Sequence, residues 1–261
     1  MPDYRAFART ALGLMILAGS ASTCYGPVAA TGAGGALPSA ESLHYRAEWR
    51  LFHAGNVALD WQAGPDTDSW QLNLRLESVG LISKLYPIRN DYRARLTDVL
   101  CAENTLLVAH EGKRHRETRV TYDGSQRKAF SQVLDLELNK VVNSDAVTIP
   151  PCVHDVMGAL YKLRTLQVPL GSAVEIPISD GKKNVSARVE AQRKETIRTP
   201  SGRYETVRYE AFLFRNVLYR RDARLYVWLS NDERRLPVQV TVQMPFYIGT
   251  VTVQLAKIGK S

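Results

Sequence analysis

Apolar and polar residues alternate one by one over most of the chain beyond residue 41. The pattern is clearest in 45–51, where Tyr, Ala, Trp and Leu alternate with Arg and Glu, and in 70–77, where Trp and Leu alternate with polar residues. Because successive side chains of a β-strand point to opposite faces, each segment is predicted as a strand with one buried and one solvated face. Turn residues such as Gly64-Pro65-Asp66 follow closely, which predicts an antiparallel meander.

The same alternation predicts strands throughout the rest of the chain. They cover 57–61, 92–99, 106–110, 118–122, 128–133, 173–178, 185–193, 204–214, 218–229, 237–244 and 250–258. A sheet of about a dozen strands accumulates twist and does not stay flat. The predicted fold class is therefore all-β and mainly antiparallel: a single curved sheet, half-barrel or barrel with one amphipathic helix.

The helix is predicted over about 153–166, where apolar residues recur at steps of three and four and form one apolar face. These residues are Val153, Val156, Leu160, Leu163 and Leu166. Asp155 lies near the start, where its carboxylate can accept hydrogen bonds from free amides, and Lys162 and Arg164 lie near the negative end of the helix dipole.

A second segment, 79–87, is apolar with Gly80 and Pro87 near its ends. It predicts a short helical turn or loop over one mouth of the curved sheet. If the sheet encloses a hollow interior, side chains from this segment and from the helix are candidate covers of a ligand cavity. The candidates are Leu81, Ile82, Leu85, Tyr86, Val156 and Leu160.

The N-terminus has the features of an export signal. Arg5 and Arg9 precede or border a short apolar run over 11–21, and small residues follow up to Ala30. We interpret 1–30 as a signal peptide, 31–41 as a flexible linker and 42–261 as the folded domain. Two alternatives stay open: lipidation of Cys24, which would anchor the protein, and an uncleaved membrane anchor, for which the run is short.

Export to the periplasm or outer envelope makes disulfides expected. Outside the leader the chain has two cysteines, Cys101 and Cys152, and we predict that they are bonded. Closing a loop of about 50 residues would stabilise the fold by about 4 kcal/mol in the loop-entropy model. The alternative is two small buried side chains too far apart to join. A zinc site is not expected, because C-x-x-C spacing is absent.

The net charge of +8 favours anionic partners, although the cations are scattered and also suit the solvated faces of strands. Candidate partners are a lipid, a lipoprotein or an anionic envelope polymer, with membrane association peripheral at most. Nucleic acid is not expected, since no recognition module or basic stripe with stacking aromatics is present.

Catalytic motifs are missing from the sequence. There is no G-x-S-x-G elbow and no nucleotide-binding glycine loop, so no cofactor is expected. His110 and His115 are one residue further apart than the pair in H-E-x-x-H. Cys152, His154 and Asp155 are close in sequence, but a disulfide or core cysteine and a helix cap explain them better than a catalytic group.

Several segments together resemble the bacterial exported family DUF3108, a domain of unknown function. They are VGLISKLYPIRNDY at 79–92, HEGKRHRETRVTYD at 110–123, HDVMGALYKLRTLQVPLG at 154–171, TPSGRYET at 199–206 and WLSNDERRLPVQV at 228–240. The resemblance implies an exported, mostly antiparallel β protein, similar in outline to the curved half-barrels of lipoprotein carriers, and it implies no catalytic residue.

These observations favour a non-catalytic envelope protein that binds or escorts a hydrophobic or amphiphilic component. The many aromatic residues on the strands suit either a packed core or such a cavity. A structural or adaptor protein of the envelope is the alternative hypothesis, and an envelope hydrolase is the third.

Overall fold

The structure is a computed structural model that describes residues 35–66 and 68–259. The predicted signal peptide, Cys24 and the first residues of the predicted linker lie outside the described residues. Within the described part, 14 strands form one sheet, and every neighbouring pair of strands in it is antiparallel.

The strands follow one another along the chain with short connections. They are β1 (Ala40–Trp49), β2 (Phe52–Ala63), β3 (Ser69–Ser78), β4 (Ile88–Thr97), β5 (Ala102–Glu111), β6 (Arg114–Asp123), β7 (Lys128–Asp135), β8 (Lys140–Thr148), β9 (Ala173–Ser179), β10 (Asn184–Thr199), β11 (Gly202–Ala211), β12 (Arg224–Ser230), β13 (Pro237–Gln243) and β14 (Thr250–Ile258). Two helices interrupt them: α1 (Gly80–Leu85) and α2 (Val156–Arg164).

The sheet order is β8-β7-β6-β5-β4-β3-β2-β1-β14-β13-β12-β11-β10-β9. The first and last strands of the chain pair in the middle, and the connection that contains α2 runs from one edge strand, β8, to the other, β9. No ladder joins β8 to β9, so the sheet is open. Of the predicted alternatives, the open curved sheet is the one observed.

Helix α2 lies against the inner face of the curved sheet. Tyr161 of α2 stacks on Trp61 of β2 with ring centroids 4.1 Å apart, and Trp70 of β3 stacks on Trp61 at 4.7 Å. These rings belong to a core cluster built mainly from β1 to β6 and β14. The other side of α2 packs on a second cluster formed with β9 to β12, so the helix separates the two cores.

The segment before α2 connects the edge strand β9 to the start of β5, on the other half of the sheet. His154 forms a parallel bridge to Ile178 of β9 and the amide of Ala102, at the start of β5, donates to the carbonyl of Val153 at 2.8 Å. The predicted disulfide between Cys101 and Cys152 is present and joins β5 to the same segment, with Cα atoms 5.1 Å apart.

Two elements differ from the sequence predictions. Strand β8 was not predicted, because most of its side chains are exposed on both faces and therefore do not alternate. Strand β12 begins at Arg224 instead of 218, since 212–223 forms a connection in which Leu218 is buried without being in a strand.

The boundary of the predicted linker was also wrong at its C-terminal end. Strand β1 begins at Ala40, Leu37 packs against the first core, and Trp61 donates to the carbonyl of Pro38 at 3.0 Å. Glu41 accepts a hydrogen bond from Tyr161 at 2.7 Å. These small residues belong to the fold because the sheet and α2 supply partners that are distant in sequence.

Candidate ligand cavity

A cavity of about 700 Å³ lies between the concave face of β3 to β8 and the start of α2. Its walls come from six strands, the N-terminal turn of α2, the β9–β10 turn and Tyr219 of the β11–β12 connection. The main lining residues are Leu74, Tyr92, Leu107, Ala109, Glu111, Arg114, Arg116, Val120, Tyr122, Val133, Val142, Asp155, Val156, Met157, Asp180, Lys182 and Tyr219.

The alternation along β5 and β6 divides the cavity into an apolar part and a charged part. Leu107 and Ala109 of β5 point inward and are followed by Glu111, two residues further along the same face. On β6 the inward row runs from Arg114 and Arg116 to Val120. Because the two strands are antiparallel, the charged ends of both rows lie side by side at one end of the cavity.

Three cations, Arg114, Arg116 and Lys182, line the cavity together with the carboxylates of Glu111, Asp155 and Asp180. Arg114 has no ion-pair partner among the described residues, and the Nε atom of Arg116 is 3.9 Å from the carboxylate of Asp135, a long separation. Lys182 from the β9–β10 turn is 3.8 Å from Asp145 of β8. Glu111 accepts a hydrogen bond from Asn90 at 3.0 Å, so its carboxylate is directed toward β4.

A buried carboxylate lies at the inner wall. Asp155 is the N-cap of α2 and accepts hydrogen bonds from the amides of Met157 at 2.9 Å and Gly158 at 3.2 Å. Tyr92 of β4 donates its hydroxyl to the same carboxylate at 2.6 Å. Burial raises the pKa of Asp155 above its ordinary value, while these hydrogen bonds act in the opposite direction.

The β9–β10 turn closes the cavity from the side of the opposite sheet edge. Tyr122 of β6 donates its hydroxyl to the carbonyl of Ser179 at 3.0 Å. Gly181 has φ +82° and an added Cβ would lie 2.6 Å from Val120 and 2.8 Å from Ser131. Only glycine therefore fits where this turn meets the concave face.

The comparisons with known proteins identify the family. A family model described as a protein of unknown function, DUF3108, matches residues 44–256. The chain belongs to the DUF3108 family. The match covers nearly the whole sheet, from β1 to β14, and includes every residue of the cavity wall.

One solved structure resembles this DUF3108 domain in fold. A beta-barrel-like protein of the domain of unknown function DUF1849 from Brucella abortus has a TM-score of 0.54 at 8% identity, covering 85% of this chain and 98% of that chain. A DUF1089 family protein from Pseudomonas aeruginosa has a TM-score of 0.36 at 16% identity, with 73% and 90% covered. No sequence among the curated proteins matches the chain.

The predicted cover residues occupy different places in the DUF3108 domain. Val156 lines the cavity, whereas Leu160 of α2 packs against the second core cluster. Leu81, Ile82, Leu85 and Tyr86 do not line the cavity; α1 lies at the strand ends, and Tyr86 donates to the carbonyl of Glu111 at 3.0 Å. The helical turn was predicted correctly, but it flanks the cavity instead of covering it.

The residues near Cys152 have structural roles. Cys152 is in the disulfide, Asp155 caps α2, and the Nδ1 atom of His154 is 2.6 Å from the carbonyl of Leu100. Within residues 35–66 and 68–259, no group of three or more His, Cys, Asp or Glu side chains is arranged to hold a metal. His110 and His115 contact each other edge to face, with centroids 4.8 Å apart.

Sequence reasoning missed the residues that distinguish this cavity. The sequence patterns gave Arg114 and Arg116 no role in a cavity, yet both lie on the concave face. The available signal was their spacing from Val120 on one strand face, which places cations and apolar residues in one row.

In the described part of the chain, no helix has the length and apolarity needed to span a bilayer.

Proposed function

We propose that this domain is a non-catalytic protein of the bacterial envelope that binds one amphiphile with an anionic head group. The observation that carries the proposal is the inward row on β6, where Arg114 and Arg116 are followed by Thr118 and then by Val120 in the apolar part of the cavity. An apolar chain would contact Leu107, Ala109 and Val120, and its head group would meet the two guanidinium groups.

The energetics of the arginines support an anionic ligand. Arg114 has no ion-pair partner among the described residues, and the Nε atom of Arg116 is buried without a hydrogen-bond acceptor there. A buried donor without an acceptor is destabilising, so an anion that accepts from both side chains would be favoured. A volume of about 700 Å³ is in the usual range for small-molecule sites.

Export supports a ligand from the envelope. The leader-like N-terminus and the Cys101–Cys152 disulfide both suit an oxidising compartment outside the cytoplasm. Amphiphiles with phosphate or carboxylate head groups are the abundant small hydrophobic molecules of that compartment. Lipids and the acyl chains of lipoproteins are the corresponding ligand classes.

Binding of a dansyl-labelled fatty acid and of its uncharged methyl ester tests the proposal. The natural protein is expected to bind the acid more tightly than the ester, because only the acid carries a charge for Arg114 and Arg116. The double variant Arg114→Gln, Arg116→Gln should lose about tenfold in affinity for the acid and little for the ester. Fluorescence titration measures both dissociation constants.

Two matched controls separate the cavity from the surface. Arg119→Gln removes an exposed arginine on the outer face of β6 and should leave both affinities unchanged. Ala109→Phe fills the apolar part and should weaken both probes, whereas Val108→Phe, on the outer face of β5, should not. Equal affinities of acid and ester, or equal effects of Arg119→Gln and the cavity variants, would refute an anion-binding cavity.

A second candidate function is an adaptor that pairs with a partner strand. Strand β8 is an edge strand with one side of its backbone unpaired and with Val141 and Val142 exposed. Such an edge can accept an extended peptide as an additional strand. This function would be favoured if neither probe binds and if Val142→Pro, at the free edge, abolishes capture of a partner from an envelope extract.

A further inference from the structure

Six large apolar side chains are exposed at one end of the sheet, in three neighbouring connections. They belong to the β1–β2 turn, to α1 and to the β13–β14 turn, and they are between 60% and 98% exposed. We call them the apolar rim: Leu51, Phe52, Leu81, Leu85, Phe246 and Tyr247. Exposed apolar side chains that are grouped, as these are, mark an interaction surface, whereas scattered ones need no explanation.

The three connections are held together by hydrogen bonds. Arg50 donates to the carbonyls of Phe246 at 3.1 Å and Tyr247 at 2.6 Å, which fastens the β1–β2 turn to the β13–β14 turn. The amide of Val79 donates to the carbonyl of Ala54 at 2.9 Å, which fastens the start of α1 to β2. The rim is therefore one continuous and ordered surface.

The residue type at the tip of the β1–β2 turn, Leu51, is not the one that the backbone conformation of the turn favours. Arg50 and Leu51 have φ values of 49° and 71°, the left-handed region in which two-residue hairpin turns favour Asn-Gly. A leucine that is 92% exposed occupies this apex although it gains no packing there. Its side chain is available to a partner outside the chain.

The charged residues next to the apolar rim indicate what kind of surface it binds. The segments 49–56, 79–90 and 244–252 contain no Asp or Glu, and they contain Arg50, Lys84 and Arg89. Arg89 is mostly exposed, and its nearest carboxylate, Asp91, is 4.0 Å away. Leu, Phe and Tyr side chains surrounded by cations are the combination that binds at the interface of an anionic bilayer.

We infer that the apolar rim docks this protein onto an anionic lipid membrane, with the rim side chains inserted at the level of the head groups. The rim adjoins the polar end of the cavity, since Tyr86 after α1 contacts Glu111 and an added Cβ on Gly112 would lie 2.6 Å from its ring. Docking would bring the cavity opening to the bilayer surface. The inference goes beyond amphiphile binding and does not depend on it.

Partition onto vesicles tests the docking. The protein is produced with Cys24→Ser and purified after export, so that no lipid anchor contributes. It should partition onto vesicles of phosphatidylglycerol and phosphatidylcholine more strongly than onto phosphatidylcholine alone, and high salt should reduce the difference. Phe246→Ser with Tyr247→Ser should reduce partition onto the anionic vesicles about tenfold.

The control removes two exposed apolar side chains at the other end of the strands. Val99→Ser with Leu170→Ser changes the β4–β5 turn and the connection before β9, and it should leave partition unchanged. Equal losses in both double variants would overturn the inference. It would also be overturned if the natural protein is a dimer and the rim variant a monomer by light scattering, since the rim would then be a protein interface.

A second measurement uses the natural protein, so it remains informative if the rim variant does not fold. Trp49 precedes the β1–β2 turn and donates its indole NH to the carbonyl of Ile248 at 2.8 Å, so it reports on this end of the sheet. Phosphatidylglycerol brominated on its acyl chains should quench its fluorescence. Quenching should disappear in Trp49→Phe and persist in Trp70→Phe; absence of quenching in the natural protein would refute the docking. Normal fatty acid binding without vesicle binding would reject this inference alone.

Discussion

The protonation of His154 is determined by its buried environment more than by its neighbours in sequence. The imidazole is almost completely buried, and its Nδ1 atom lies 2.6 Å from the carbonyl of Leu100. Burial lowers the pKa of His154 below the ordinary 6.5, although the hydrogen bond and Asp155 act in the opposite direction. The native protein therefore holds this side chain neutral at a pH where the unfolded chain protonates it.

Stability should consequently decrease as the pH falls below about 6.5. In that range the unfolded chain binds a proton at residue 154 and the native state does not. The free energy of unfolding therefore decreases as the pH is lowered. His154→Gln should show a smaller decline between pH 7.5 and 5.5. Urea unfolding at several pH values measures it.

The carboxyl of Asp155 acts in the opposite sense. Because its pKa is raised, the native state binds a proton at Asp155 more readily than the unfolded chain does. The contribution of this group to the free energy of unfolding therefore falls as the pH rises above 3.8 toward the folded pKa. His154 also lowers the pKa of Asp155, so the difference between the natural protein and His154→Gln reports the histidine together with its effect on the neighbouring carboxyl. Identical slopes would show that His154 does not titrate differently on folding.

Residues whose role depends on local spacing were predictable. Asp155 lies near the start of the predicted helical pattern, and it caps α2, which begins at Val156. The two cysteines outside the predicted signal peptide left a single pairing, and they are bonded. Tyr92 and Arg116 were not predictable as cavity residues, because their position depends on which sheet face becomes concave and on how α2 crosses it.

At the scale of elements, one buried cluster ties β1 to α2. Arg164, which is 1% exposed, donates to both carboxylate oxygens of Glu41, and Tyr161 donates to the same carboxylate at 2.7 Å. Arg164 also donates to the carbonyl of Arg234 at 3.1 Å. The C-terminal half of α2 is thereby fixed to the first strand and to the β12–β13 turn.

Removing one member of this cluster should destabilise the protein strongly. Glu41→Ala leaves the Arg164 charge buried and unpaired, and we expect the free energy of unfolding to fall by about 3 kcal/mol. Glu41→Leu combined with Arg164→Met should recover part of that loss, because neither charge remains. Chemical denaturation of the variants measures the values.

A pair on the same strand provides the comparison. Arg46 and Glu48 of β1 are 3.1 Å apart and partly exposed, so Glu48→Ala should cost less than about 1 kcal/mol. Similar losses for Glu41→Ala and Glu48→Ala would mean that burial adds nothing to the Glu41 pair.

At the scale of the molecule, stability should follow the order of strands in the sheet. β1 and β2 are central and bury Leu43, Leu59 and Trp61, whereas β8 at the edge is exposed on both faces. Amides of β8 should therefore exchange with solvent at least about 100-fold faster than those of β2. Hydrogen exchange followed by mass spectrometry resolves the two strands.

The outcome also bears on the adaptor function. Faster exchange of β8 alone is expected for a free edge, and a partner that adds a strand would slow it. Equal protection of β2 and β8 would contradict a gradient of stability across the sheet.

The class of the fold followed from alternation, which depends only on adjacent residues and a solvated face. The missing strand β8 lacks a buried face, so it left no alternating signal. Whether the sheet closes was not predictable either, because closure depends on accumulated twist, tilt and the meeting of strands far apart in sequence. Those quantities are properties of the assembled sheet.

The open edge between β8 and β9 has a consequence for the proposed ligand site. A closed barrel has a diameter set by its strand number and stagger, and widening it requires breaking a ladder. Here the gap near the cavity is crossed by local contacts: Tyr122 to Ser179, Lys182 to Asp145, and the backbone bridge between His154 and Ile178. Widening the gap would break such contacts but no strand ladder, so the proposed amphiphile site would accept chains of different length.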